Sequence, residues 1–390
     1  MKGTLQNLIN VIRREIRLMR QRPIYLISSV AVTAFCSLFF LTFLRDGQPK
    51  ELPVGIVDYD NSSVSRNFTR QLDATRTCTV IHFESFQEAR EAMQTGRISA
   101  FCVIPHNMAE DIQANRRPTF TYYVNTLYFV SGTFAYKSIM TMVNLTGGAI
   151  KREVLRARGT EDSAILGRIQ PIVIDSHQIG NATADYSVYL NNVMLPGILE
   201  LSIILVLVYS LGAELKYGTS RHLLEKSGKS MATALAGKLI PYTVLFWAIG
   251  IFNDLLLYHW CHFPIAGSIW NMFLGTMIFV LACEAVAVTI LGFLPVLRDA
   301  ISIGAIYSVL AFSLTGFTFP VESMPPYIQG LAAAFPLRHF YLFYVQEAIF
   351  GSGFAGWHTE AVHMLLFLFL PLLSIHRLKQ AYILQNFPKK

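Results

Sequence analysis

The chain has no Gly-x-x-x-x-Gly-Lys-Ser/Thr loop, no His-Glu-x-x-His pair and no Gly-x-Ser-x-Gly elbow. These absences exclude a classical nucleotide-hydrolysing loop, a zincin-type centre and a hydrolase nucleophile of that design. Cysteine is sparse. Cys36, Cys78, Cys102, Cys261 and Cys283 have neither paired nor zinc-ligand spacing, so no metal site is expected. Cys78 and Cys102 share one segment, and both a disulfide and two buried thiols stay open there. Charge is scarce as well, at 15% of residues against 53% hydrophobic.

What the chain has instead is long uncharged runs. Ile24–Leu44 carries no charge, and 21 residues of helix rise about 31 Å, enough to cross a bilayer core. Further runs lie at Met194–Ala213, Leu239–Tyr258, Trp270–Phe293, Ile301–Phe319 and Ala361–Ile375, the last short enough to borrow flanking residues. The first run starts late and meets Arg45 and Asp46 without a small-residue cleavage site. It reads as an uncleaved anchor.

Charge distribution sets the expected topology. Residues 1–23, 214–238, 294–300 and 376–390 hold sixteen Lys/Arg and four Asp/Glu, a net of +12, whereas the whole chain nets only +7. This is the positive-inside pattern, and it predicts cytoplasmic termini rather than nucleic-acid binding. The expected fold is an α-helical polytopic membrane protein. It has six transmembrane helices, a re-entrant hairpin between helices five and six, and a small α/β extracytoplasmic domain. Residues 1–23 form a cytoplasmic amphipathic helix, 24–44 the first span, 45–193 the outer domain and 194–390 the five-helix region.

Within 3–22, Leu5, Leu8, Ile9, Ile12, Ile16 and Met19 recur at helical spacing beside Arg13, Arg14, Arg17 and Arg20. Such a helix lies on a membrane surface, with or without a cytoplasmic partner. In the outer domain, strands are expected at 52–57, 79–83, 98–104 and 120–124, and helices at 65–74 and 85–95. Ser85 and Glu88 are placed as a capping box. Asp58 and Asp60 read as a structural turn rather than a metal site, because no further ligand follows at a useful spacing. From Ser131 to Arg158 the pattern is helical, ending in the basic Lys151, Arg152, Arg156 and Arg158.

Acidic residues inside spans are costly and normally face protein or a water path. Glu200 lies in the outer half of span two, Asp254 near the outer end of span three and Glu284 about midway along span four. They are candidate pathway or interhelical polar groups, with headgroup-level solvation the plain alternative for Asp254. No carboxylates are spaced as a relay along one helix. After span five the chain breaks at Gly316, Pro320, Met324, Pro325, Pro326 and Pro336, and the apolar Tyr341–Phe350 is too short to span. Residues 320–350 are expected to turn back within the outer leaflet, covered by protein. Arg338 and Glu347 would pair across that hairpin or face headgroups.

At these residues the chain resembles the permease subunits of ABC-2 type exporters, in the group with a large extracytoplasmic domain after the first span. Thr315-Gly316-Phe317-Thr318-Phe319-Pro320, with Met324-Pro325 and Pro336, resembles the family's Ser-Gly-Phe…Pro…Met-Pro…Pro run, threonine replacing serine. Glu214 through Gly218-Thr219, Leu223-Leu224 and Gly237-Lys238 resembles the family's first cytoplasmic loop. Leu52–Ser65, with Gly55, Asp58, Asp60 and Ser65-Arg66, is similar to the start of the outer domain. Asn181 and Leu195-Pro196-Gly197 are similar to the run entering span two, with Ala182 where the family usually has proline.

The resemblance implies a transport subunit that is not an enzyme, binds no cofactor, and works with separate ATPase subunits that hold ATP and Mg2+. A second permease, identical or paralogous, would complete the path. Glu214, Gly218, Thr219, Leu223 and Leu224 would couple to the ATPase. Gly316, Phe317, Pro320, Met324, Pro325 and Pro336 would form a re-entrant gate. A bacterial inner-membrane location, a periplasmic adaptor, an outer-membrane channel and amphipathic or drug cargo are further implications. A lipid, polysaccharide or protein exporter, or a membrane-anchored adaptor or sensor, are the alternatives. Glu214 at a membrane interface is expected to tolerate alanine without loss of folding.

Overall fold

The computed structural model describes residues 2–114 and 116–385; Lys389 and Lys390 of the last basic stretch lie outside the described residues. The chain forms two compact units, residues 46–177 and residues 1–45 with 178–390.

The second of these begins with α1 (Lys2–Gln21), an amphipathic helix, and α2 (Pro23–Phe43), started by proline at its first turn and containing one π-helical turn at Ile27–Ala31. Proline suits that position because its missing N–H has no acceptor there anyway.

The unit of residues 46–177 contains β1 (Leu52–Asp58), α3 (Ser63–Asp73), β2 (Cys78–Phe83), α4 (Phe86–Gln94) and β3 (Ala100–Ile104). It continues with α5 (Met108–Gln113), β4 (Thr121–Val124), α6 (Phe129–Ala157) and α7 (Asp162–Ile169). Strand order is β2-β1-β3-β4, β1 running parallel to β2 and β3, and β4 antiparallel to β3. Alternation along β1 sends Val54 and Ile56 to one face, with Phe68, Leu72, Ala135 and Ile139. Val57 goes to the other face, with Phe83, Ala89, Ile98 and Phe101. Both faces are covered, as a parallel sheet requires. The helix expected from Ser131 onward thus completes this unit.

Caps set where its helices begin. Ser62 accepts from the Ser65 N–H at 3.1 Å and Ser85 from the Glu88 N–H at 3.2 Å. The capping box at Ser85 is displaced by one residue, because Glu88 accepts from the Glu84 N–H rather than that of Ser85. Asp58 Oδ1 accepts from the backbone of Asp60 and Asn61, both at 3.0 Å, and Asp60 accepts from Ala109 at 3.3 Å. The acidic turn is thereby held by backbone donors. Cys78 and Cys102 are free and buried, with β1 lying between their strands. Two strand spacings, about 9–10 Å, exceed the reach of a disulfide.

The helical unit resumes with α8 (Tyr186–Lys216), then α9 (Ser220–Lys226), α10 (Met231–Trp260), α11 (Ile269–Phe293) and α12 (Leu297–Leu314). Two short helices, α13 (Pro326–Ala332) and α14 (Pro336–Tyr344), precede α15 (Gly353–Leu384). Among the described residues, six helices are long and apolar enough to cross a membrane: α2, α8, α10, α11, α12 and α15, with α8 and α11 the most buried. The chain is a multi-pass membrane protein with a large α/β segment between its first two spans.

Several helix ends differ from the apolar runs. α8 starts at Tyr186 rather than Met194, since Asp185 accepts from the Ser187 and Val188 N–H groups at 2.7 and 3.2 Å. Leu195-Pro196-Gly197 therefore lies inside the helix and not at its mouth. α12 ends at Leu314, so Gly316 and Phe319, expected in span five, fall in the bends beyond it.

Candidate functional site

One end of the helical unit is organised by a buried charge network. Arg14 of α1 donates through both terminal nitrogens to the two carboxylate oxygens of Glu214 on α8, each at 2.8 Å. Lys238 of α10 donates to both oxygens of Glu15 at 2.8 Å and to Glu214 at 3.0 Å. Tyr242 and Ser210 donate to Glu15 at 3.0 and 3.1 Å, and Thr219 donates to Glu214. Lys238, Glu15 and Glu214 are 1%, 0% and 3% exposed. Gly237 lets α1 approach α10 at near-backbone distance, since a Cβ there would lie 2.7 Å from that of Val11.

Glu214 therefore does not sit exposed at an interface as its position at a span end suggested. It is buried because α1, whose sequence reads only as an amphipathic surface helix, covers it and supplies Arg14. Glu15 gave no signal of its own: one acid among arginines looks like an ordinary solvated face.

The segment between α8 and α10 is fixed from the other side by the C-terminal helix. Ser220 and Arg221 donate to the carbonyls of Tyr382 and Ile383, each at 2.8 Å, and Gln385 donates to the Gly218 carbonyl at 2.8 Å. Gly218 takes a left-handed φ of 68°, turning the chain from α8 into α9. Leu223 and Leu224 are buried against the bundle. Glu214, Gly218, Thr219, Leu223 and Leu224 thus lie together in one clamped element.

The acids inside the bundle stand apart from this network. Glu284 accepts from Thr243 at 2.8 and 3.0 Å, and Asp254 from Thr276 at 2.8 Å. Asp254 is buried, so headgroup-level solvation does not describe it. Glu200 is fully buried, and neither of its carboxylate oxygens has a hydrogen-bond partner among the described residues.

Beyond α12, Arg338 and Glu347 do not pair. Arg338 donates to the Thr315 carbonyl at 3.0 Å and to Glu322 at 3.2 Å. Glu347 accepts from the Ser268 N–H at 2.7 Å and from Asn271 at 2.9 Å, because the loop before α11 folds over it. Gly316 has φ 96°, and a Cβ there would lie 2.7 Å from the Arg338 guanidinium. It is a turn residue under Arg338, not a helix-packing residue. Tyr189 donates to the Phe317 carbonyl at 2.8 Å, Gln329 donates to that of Met324 at 2.8 Å, and Pro336 opens α14. Pro320 and Pro325 precede the short helical turns at Val321–Ser323 and α13. A cluster that sequence spacing did not reveal lies nearby, His339 of α14 meeting Glu360 and His363 of α15.

The pattern of the ABC-2 family transporter proteins matches residues 23–375. No curated protein matches the chain.

Proposed function

The chain belongs to the ABC-2 family of transporter proteins, and we propose that it is the permease of an ATP-driven exporter, built with a second permease and two separate ATPase subunits. Family members are non-catalytic transport subunits, and an ATPase partner is expected of them. The termini and the loop 214–238 lie on the cytoplasmic side of a bacterial inner membrane, and residues 46–177 on the far side. The +12 concentrated in residues 1–23, 214–238, 294–300 and 376–390 supports that orientation.

The observation that carries the coupling role is the Arg14–Glu214–Lys238–Glu15 network. Glu214 and Lys238 sit at the two ends of the loop, and α1 ties both together through buried, charge-assisted bonds. A force applied to α9 by a closing ATPase is thereby delivered to α8 and α10 as one body. The short helices from Pro320 to Phe350 form a re-entrant gate, supported by the two breaks that prolines impose before α13 and α14. Apolar cargo is supported by a groove of about 330 Å3 between α2 and α8, lined by Tyr25, Val32, Leu205 and Tyr209. A periplasmic adaptor and an outer-membrane channel belong to this proposal as partners of residues 46–177.

Isolation from native membrane in mild detergent, followed by reconstitution, tests it. A co-purifying ATPase whose hydrolysis is stimulated by amphipathic cargo is the expected result. Recovery with a kinase or regulator instead, and no ATPase, would favour a sensor.

A further inference from the structure

We propose that His339, Glu360 and His363 form a binding site for a divalent transition-metal ion, for which Zn2+ is the best fit. The three side chains offer ligand atoms that lie within 4.8 Å of one another. Glu360 and His363 are one turn apart on α15 and so share a face. His339 comes from α14, with its ring centroid 4.9 Å from that of His363.

The hydrogen bonds settle which nitrogen of His339 is free. Its Nε2 lies 3.0 Å from the Ala333 carbonyl oxygen. A carbonyl can only accept, so Nε2 carries a proton and Nδ1 is the nitrogen left to a ligand. That nitrogen faces Glu360 Oε2 at 2.8 Å. A metal ion seated between these two atoms would take both as ligands. An imidazole whose remote N–H donates to a backbone carbonyl is the usual support for a metal-bound histidine.

His363 brings a third ligand atom to the same carboxylate. Its Nδ1 lies 3.4 Å from the same Glu360 oxygen. Ligands at about 2.0–2.1 Å from a tetrahedral Zn2+ are about 3.3 Å apart, so small side-chain shifts bring all three onto one ion. Two histidines and a carboxylate suit Zn2+ and leave a fourth position open. That position has room: His339 and His363 line a cavity of about 360 Å3 with Ala333, Leu366 and Phe367. His363 is 44% exposed, which provides a way in. Bound there, the ion would staple α14 to α15.

The test uses the full chain in detergent, stripped with chelator and titrated with Zn2+ alone. One Zn2+ per chain is expected, with affinity falling at least tenfold in His363→Ala and in Glu360→Gln. Zn2+ should also raise the unfolding temperature of the wild type and leave that of His363→Ala unmoved. X-ray absorption should show only nitrogen and oxygen ligands at about 2.0–2.2 Å. Because His363 is half exposed, its alanine variant keeps its fold, which elution volume and helical circular dichroism verify. The proposal is overturned by absence of stoichiometric binding, by unchanged affinity in His363→Ala, or by a sulfur ligand. Sulfur would point instead to the exposed Cys261, which lies between His259 and His262 in the sequence.

Discussion

Lys238 Nζ lies 2.8 Å from both carboxylate oxygens of Glu15, a residue 223 positions earlier in the chain. With Glu214 at 3.0 Å, the ammonium group is enclosed by acids and has no solvent to fall back on. A buried ion pair is weak as a source of stability but severe when broken, because the abandoned charge stays buried.

Lys238→Met should therefore lower the stability of the helical unit by about 3–5 kcal/mol, by leaving buried Glu15 with only Arg14, 3.7 Å away, as a cation. Thermal unfolding of the detergent-solubilised protein measures this. A variant as stable as wild type would mean that Glu15 is not buried as described.

Glu214→Ala should be destabilising as well, which reverses what its span-end position suggests. Arg14 would lose both of its short bonds, and Lys238 would keep only Glu15. In the assembled exporter, cargo-stimulated ATP hydrolysis should fall more than basal hydrolysis. Equal loss of both would indicate an assembly defect instead of uncoupling.

Gly316→Leu should impair transport, whereas Ser313→Ala on the exposed side of α12 should not. A φ of 96° alone costs a residue with a Cβ about 1–2 kcal/mol. The added side chain must also displace Arg338 from the Thr315 carbonyl. Export assays at matched membrane expression decide, and wild-type export by the leucine variant would remove Gly316 from the gate.

On the proposed topology, a cysteine at Ser63 should react with an impermeant thiol reagent in intact spheroplasts, and one at Lys226 should not. Both side chains are exposed. The neighbouring Ser227 is a poor probe, because it is buried and a cysteine there would stay silent on either side. Among native thiols Cys261 is the exposed one and must be replaced first, while the buried Cys78 and Cys102 should label only after unfolding. Reversed labelling at positions 63 and 226 would invert the layout.

The spans and the alternating strands and helices of residues 46–177 were legible because periodicity and apolar length are local properties. Helix ends were less so. α8 extends back to Tyr186 through polar residues, since its start is set by Asp185 as a cap rather than by hydropathy. The long-range polar pairings were not legible at all. Arg338 chose Glu322 over Glu347 because the loop carrying Ser268 and Asn271 already occupies Glu347. Glu15 and His339 look unremarkable in sequence, Lys238 shows only as the end of a loop motif, and only packing between distant helices gives the three their partners.

The docking of α1 has a consequence in time. Glu15 is made early and Lys238 is made 223 residues later. At about 5–20 residues per second, synthesis leaves Glu15 waiting roughly 10–45 s for Lys238. Until then, burying α1 would leave Glu15 with only the longer 3.7 Å contact to Arg14, which favours a helix that stays wetted while α2 is already threaded into the bilayer. Its closure over α8 and α10 is accordingly a late step of biogenesis, one that registers whether the third span has arrived.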